Sequence, residues 1–166
     1  GATPAAAVTH VPFGDLAALE RALRSAPAAA FFVEPIQAEG GVRIPEDQYL
    51  PEAARLCRQS GCLLAVDEIQ TGLGRTGACF ATPFAACVPD LLLVGKTLSG
   101  GMVPVAAALV RHEAWDRACG GPERCLLTAS TFAGSALAMA CGQAVLDSLD
   151  QEDLCRKSRE AGALLL

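Results

Sequence analysis

Lysine is nearly absent from this 166-residue chain: of its 13 basic residues only Lys96 and Lys157 are lysines, and the others are arginines. The basic residues are scattered and the formal net charge is −5, so there is no cationic patch for a nucleic acid. Long apolar runs are missing too. Those present, such as Leu91 to Val94, are strand-sized, which argues against a membrane-spanning helix. No basic start followed by an apolar stretch marks a signal peptide. Histidine is limited to His10 and His112, far from any ligand spacing, and no C-x-x-C pair occurs, so no metal site is expected.

The eight cysteines raise the question of a disulfide scaffold. Cys57, Cys62, Cys141 and Cys155 occupy helical or strand patterns as small hydrophobes do, and a reducing, cytoplasmic setting is the expectation. The chain is long enough for one domain with a real core. It starts without Met and stops at Leu164-Leu165-Leu166 inside a helical pattern, which reads as a piece of a longer protein.

Residues 1–12 read as a lead-in loop. Asp15 is placed to cap a helix over Leu16 to Ser25, with Leu16, Leu19 and Leu23 on one face. Ala29 to Val33 is a short buried strand ending at Glu34-Pro35. Asp47 to Ser60 reads as an amphipathic helix closed by Gly61. A second strand, Cys62 to Val66, ends in Asp67-Glu68 and leads into a loop over Thr71 to Gly77. A third, Leu91 to Val94, leads to Gly95-Lys96, and a fourth spans Pro104 to Val110. Helices are expected over Glu113 to Cys119, over Ser135 to Leu149, and from Asp153 onward.

Continuously apolar strands alternating with helices predict an α/β fold of three layers, with a mostly parallel sheet covered on both faces. Ligands bind such sheets off the carboxyl ends of the strands. Glu34, Asp67 and Lys96 each stand at a predicted carboxyl end, and that coincidence is the main structural hint of a site.

Lys96, next to an apolar strand, must pair, neutralise or bond covalently. Burial lowers a lysine pKa by roughly 3–5 units at most, and a neutral amine is what condensation with an aldehyde requires. Equally, Lys96 is placed to snorkel to water from a strand end. Asp67 follows a buried strand, where a carboxylate is costly without a partner. A protonated ring nitrogen is one such partner, and a loop cap or a magnesium ion are others. The pair Leu63–Glu68 and Gly95-Lys96-Thr97 also invites comparison with P-loop ATPases. That comparison fails because Asp90 stands where the phosphate loop needs glycine, and an apolar strand replaces the flexible cradle.

Four ordered segments carry a family resemblance. Phe32 to Gly41 is similar to the E-P-I-Q-x-E-x-G segment of class III aminotransferases, the ornithine, acetylornithine and ω-amino group. Val66 to Gly77 resembles their D-E-x-Q-T-G-x-x-R-T-G signature. Pro89-Asp90 with Lys96 to Gly101 resembles P-D-x-x-x-x-x-K-x-x-x-G-G, and Ser130 to Gly134 the S/T-T-F/Y-x-G segment. The resemblance covers roughly residues 12–150. It implies the large domain of a fold-type-I enzyme dependent on pyridoxal phosphate (PLP), incomplete here: residues 1–149 as the C-terminal part of that domain, and 150–166 as a helix leading into a small domain.

By that resemblance Lys96 is the Schiff-base lysine and moves the substrate proton. Asp67 pairs with the ring nitrogen and Gln70 bonds the ring hydroxyl, unless it is a loop amide facing water. Glu34 orients Gln70, or else pairs with Arg75. Glu39 matches a position that gates substrate charge. Thr131 reaches the cofactor phosphate of a partner subunit in a homodimer with shared sites, or simply caps the following helix. The implied reaction is a ping-pong exchange between an amino donor, an amino acid or ω-amine, and a keto acid. An aminomutase of the same fold, or a catalytically silent interface module of a multidomain protein, are the alternatives. Two positions depart from the pattern: Ser135-Ala136 replaces Asn-Pro, and Thr128 stands where many members have His. A phosphate cup and a ring-stacking aromatic before residue 12 are missing, so the chain alone is expected to bind PLP poorly and to turn over little or nothing.

Overall fold

The computed structural model describes residues 8–124 and 127–166. The lead-in loop expected over residues 1–12 lies outside the described residues up to residue 7, and residues 8–12 have no regular structure. Helix α1, Leu16–Ser25, starts where Asp15 accepts the Ala18 N–H at 2.8 Å, the bond an N-cap carboxylate makes to the third helical residue. Strand β1 is Ala30–Val33, helix α2 is Tyr49–Gln59, and strands β2, β3 and β4 are Leu63–Asp67, Leu91–Val94 and Ala107–Val110. Helix α2 begins two residues later than expected, with Pro51 in its first turn, where no N–H is missed, and it stops before Gly61 at φ 68°.

The sheet runs β1-β2-β3-β4, with β1, β2 and β3 parallel and β4 antiparallel to β3. Only a 3-10 turn, Lys96–Ser99, and no crossing helix joins β3 to β4, so β4 returns in the opposite direction. It is also shorter than the predicted Pro104 to Val110. The Ser99 hydroxyl donates to the Val103 carbonyl at 2.5 Å, which ties that segment to the Gly100-Gly101 turn, and Pro104 has no N–H for a ladder.

Val33, Leu64, Val66, Leu92 and Val94 form one face of the sheet and bury against Tyr49, Leu50, Ala54 and Cys57 of α2, while α1 packs on α2 through Leu19. Cys57 and Cys62 sit in this core as small hydrophobes. Burial pushes the Cys57 thiol up to about 12, which makes it inert. All seven described cysteines are free. The opposite face leaves Phe32 of β1 64% exposed, so among the described residues the second covering layer does not reach it, and Leu109 of the edge strand β4, paired with Leu92 on the core face, lies beyond the reach of α2 at 53% exposed.

Helices α3, α4 and α5 are His112–Cys119, Ala136–Gln151 and Leu154–Leu165. Helix α4 packs on the Lys96–Ser99 turn and runs through positions 149 and 150. Helix α5 folds back onto the loop that follows β2: Arg159 Nη2 donates to the Gly77 carbonyl at 2.6 Å. Gly77 has φ 84°, and a Cβ there would meet Arg159 at 2.9 Å, so both its backbone and its neighbour require glycine. No described helix is long and apolar enough to cross a membrane.

Candidate active site

Because β1, β2 and β3 are parallel, the residues at their carboxyl ends share one edge. Glu34 follows β1 directly, Asp67 is the last residue of β2, and Lys96 comes two residues after β3. The far end of the strands is fixed by Asp90. Its Oδ2 accepts the Leu64 N–H at 2.9 Å, its N–H donates to the Leu64 carbonyl at 2.9 Å, and its carbonyl accepts the Arg111 N–H at 2.9 Å. The Pro89-Asp90 motif thus sets the stagger of β2, β3 and β4, and with it the position of the opposite edge.

Lys96 is exposed, the snorkelling placement rather than the near-core one, since β3 stops at Val94 and the chain turns at once into the 3-10 segment. It has φ 43°, in the left-handed region, at a cost on the order of 1–3 kcal/mol for a residue with a Cβ. Strain of this kind concentrates where a side chain must be aimed. Nζ donates to Gln70 Oε1 at 2.7 Å, a contact between residues 26 positions apart. Both border a cavity of about 650 Å³ whose other walls include Ile36, Val42 and the Gly100-Gly101 turn. A neighbouring cavity of about 490 Å³ between Leu73, Met102 and α4 has neither Lys96 nor Gln70 in its walls.

Asp67 is half-buried, and its Oδ1 accepts the Ile69 N–H at 2.9 Å. Among the described residues no donor is bonded to Oδ2. Glu34 is also half-buried. Its carboxyl is raised above the ordinary range by burial first and by the Asp67 charge second, while Lys96 pulls it down and Glu39 pushes it up. It makes no hydrogen bond to Gln70 or Arg75 among the described residues, so neither partner expected for it is seen. Glu39 is exposed on the loop that the Gln37–Arg43 bridge closes.

Thr131 is exposed in the turn before α4, away from the Lys96 cavity. It does not cap that helix: Ser135 does, its hydroxyl oxygen accepting the Ala138 N–H at 3.4 Å. One residue escaped the sequence reading. Glu68 is 1% exposed, and its carboxylate takes four hydrogen bonds, from Thr71, Ala81 and twice from Thr82. The available signal was a second carboxylate directly after a buried strand, with threonine three residues on.

The raised carboxyl of Glu34 has a measurable consequence. The folded protein holds this proton more tightly than the unfolded chain does, so Glu34 destabilises the fold once pH rises through the window from its ordinary value, 4.5, to its raised one. Glu34→Gln removes the titration. In thermal melts of the cofactor-free protein, the Tm of the variant relative to wild type is expected to be higher at pH 8 than at pH 4. A difference that does not change with pH would contradict this account.

The class-III aminotransferase family model matches residues 7–166. The chain belongs to the class-III aminotransferases. It is 42% identical over 158 residues to ornithine aminotransferase 1 of Staphylococcus aureus, covering 95% of this chain and 39% of that protein. It is 39% identical over 158 residues to an uncharacterised aminotransferase of Schizosaccharomyces pombe, covering 95% of this chain and 33% of the relative. The crystal structure of Toxoplasma gondii ornithine aminotransferase, with PLP at partial occupancy in its active site, superposes with a TM-score of 0.85 at 44% identity. That match covers 93% of this chain and 35% of the other. The chain therefore spans about a third of the length of these class-III relatives.

Membership of the class-III family implies PLP as cofactor. The residues present fit it. A primary amine borders an open cavity, with an amide beside it, and a carboxylate at the same sheet edge keeps one oxygen free of donors among the described residues.

Proposed function

We propose that this protein is a PLP-dependent aminotransferase that moves an amino group from an amino acid or ω-amine to a keto acid by a ping-pong route. The observation that carries the reading is the Lys96 Nζ–Gln70 Oε1 contact at 2.7 Å, at the sheet edge that also bears Asp67. When bound, PLP supplies the aldehyde for attachment and the ring that stabilises carbanionic charge. Lys96 holds the cofactor through its amine and afterwards carries the proton at the substrate carbon. Asp67 keeps the ring nitrogen protonated through its free oxygen, while the Ile69 N–H fixes the other. Gln70 orients the Lys96 amine and faces the ring hydroxyl. Glu34 and Glu39 set the negative charge along the β1 side of the site, with Glu39 at the entrance for substrate.

Thr131, exposed and outside the cavity of its own chain, reaches the phosphate site of a second subunit in a homodimer. Residues 1–149 belong to the PLP-binding large domain, and α5 leads toward the small one. The free cysteines among the described residues support a cytoplasmic setting.

The test is amino transfer between separate molecules. Incubated with PLP, a 15N-labelled amino donor and an unlabelled keto acid, the full-length holoenzyme is expected to yield a 15N-labelled amino acid from the acceptor. Migration of the label within the donor alone would point to an aminomutase, and no movement at all would point to a silent module.

A further inference from the structure

Glu68 is the most completely enclosed charged residue described, and the reaction makes no direct use of it. Its backbone carbonyl accepts the Gly72 N–H at 2.9 Å, and its side chain accepts the Thr71 hydroxyl at 2.5 Å. Asp67 Oδ1 holds the Ile69 N–H at the other side of the same turn. Gln70 is the residue enclosed between these anchors. The Glu68 carboxylate also gathers the Ala81 N–H at 3.2 Å, with the Thr82 N–H and hydroxyl at 2.6 Å each. The returning strand of the loop is thereby clamped behind the turn. The space is full: a Cβ on Gly72 would lie 2.8 Å from the Glu68 carbonyl and 3.2 Å from Phe80.

We propose that Glu68 is a positioning residue for transamination, holding Gln70 against the Lys96 amine by pinning the Ile69–Gly72 turn to the Ala81–Thr82 segment. The inference rests on the reading of Lys96 as the cofactor lysine. It is specific to a carboxylate. In Glu68→Gln, whichever terminal atom becomes NH2 meets one backbone N–H, that of Ala81 or that of Thr82, and a backbone N–H cannot turn round to accept. The clamp therefore opens on one side in either orientation.

A double-mutant cycle on the holoenzyme tests it, with wild type, Glu68→Gln, Gln70→Ala and the pair. Glu68→Gln is expected to lower kcat about tenfold with little change in KM, and Gln70→Ala to lower it about 100-fold. The pair is expected to match Gln70→Ala within about twofold, because Glu68 acts through a side chain already removed. In the cofactor-free protein, amide exchange across residues 69–72 and 81–82 is expected to quicken about tenfold in Glu68→Gln and not in Gln70→Ala. Losses that multiply in the pair, or unchanged exchange, overturn the proposal, since a purely structural clamp would lower stability alike in both backgrounds. If Glu68→Gln does not fold, Thr82→Val, which keeps the backbone donors and deletes one hydroxyl, takes its place in the cycle under the same criteria. Borohydride reduction of the wild-type holoenzyme separates the two levels. Label on Lys96 with a multiplicative cycle removes only the Glu68 role, and no label on Lys96 removes both readings.

Discussion

Lys96→Ala is expected to lower the full-length holoenzyme's kcat by about 10⁴-fold, the upper range for losing a positioned proton-transfer group. The loss is expected to exceed that of any other single change because, on the proposed reading, one amine both anchors the cofactor and relays the proton. The only other lysine, Lys157, lies on α5 with its amine 3.4 Å from Glu152 and is not among the walls of the Lys96 cavity. Borohydride reduction followed by peptide mapping should label wild type at Lys96 alone and leave Lys96→Ala unlabelled. Label at Lys157, or a variant that keeps most of its turnover, would refute the assignment. Lys96→Arg is expected to fail as badly: a guanidinium has the same reach and charge but does not give up a proton to form the attachment.

Asp67→Asn is expected to lower kcat/KM roughly 100- to 1,000-fold, the cost of removing one preorganised electrostatic partner from developing charge. Asn is the informative substitution. Its amide oxygen still accepts the Ile69 N–H that Oδ1 holds at 2.9 Å, so the turn carrying Gln70 stays in place and only the charge is lost. Thermal melts should therefore stay close to wild type while turnover collapses. An Asp67→Asn enzyme with normal kcat/KM would mean that Asp67 serves as a loop cap, the plainer role its bond to Ile69 already shows it can fill.

The two substitutions differ in how far their logic could be read from the chain. That Lys96 and Asp67 close two apolar runs is visible in the residues themselves, and so is the cap at Asp15, because an N-cap needs only the three residues after it. Gln70 could be named from the signature it shares with the family. Its bond to Lys96 could not, since it depends on β2 and β3 lying side by side in parallel. Glu68 was missed because two of its donors come from Thr82, 14 positions on, across a loop with no regular pattern. For Lys96 itself the residues left open a place near the core or a snorkelling strand end. An apolar strand to its left says nothing about whether the chain then turns outward, and it does.

By itself the sequence determined where the strands and most helices fall, that the sheet is mostly parallel, and which ionisable residues stand at strand ends. These follow from hydrophobic runs, caps and glycines that act within a few residues. The α-helix that an alternating pattern would put between β2 and β3 is absent among the described residues. The tertiary structure alone decided the reversed direction of β4, the return of α5 onto Gly77, and the enclosure of Glu68. Each of these turns on which distant segment fills a given space, and a short window of sequence carries no information about a partner that packing brings from elsewhere.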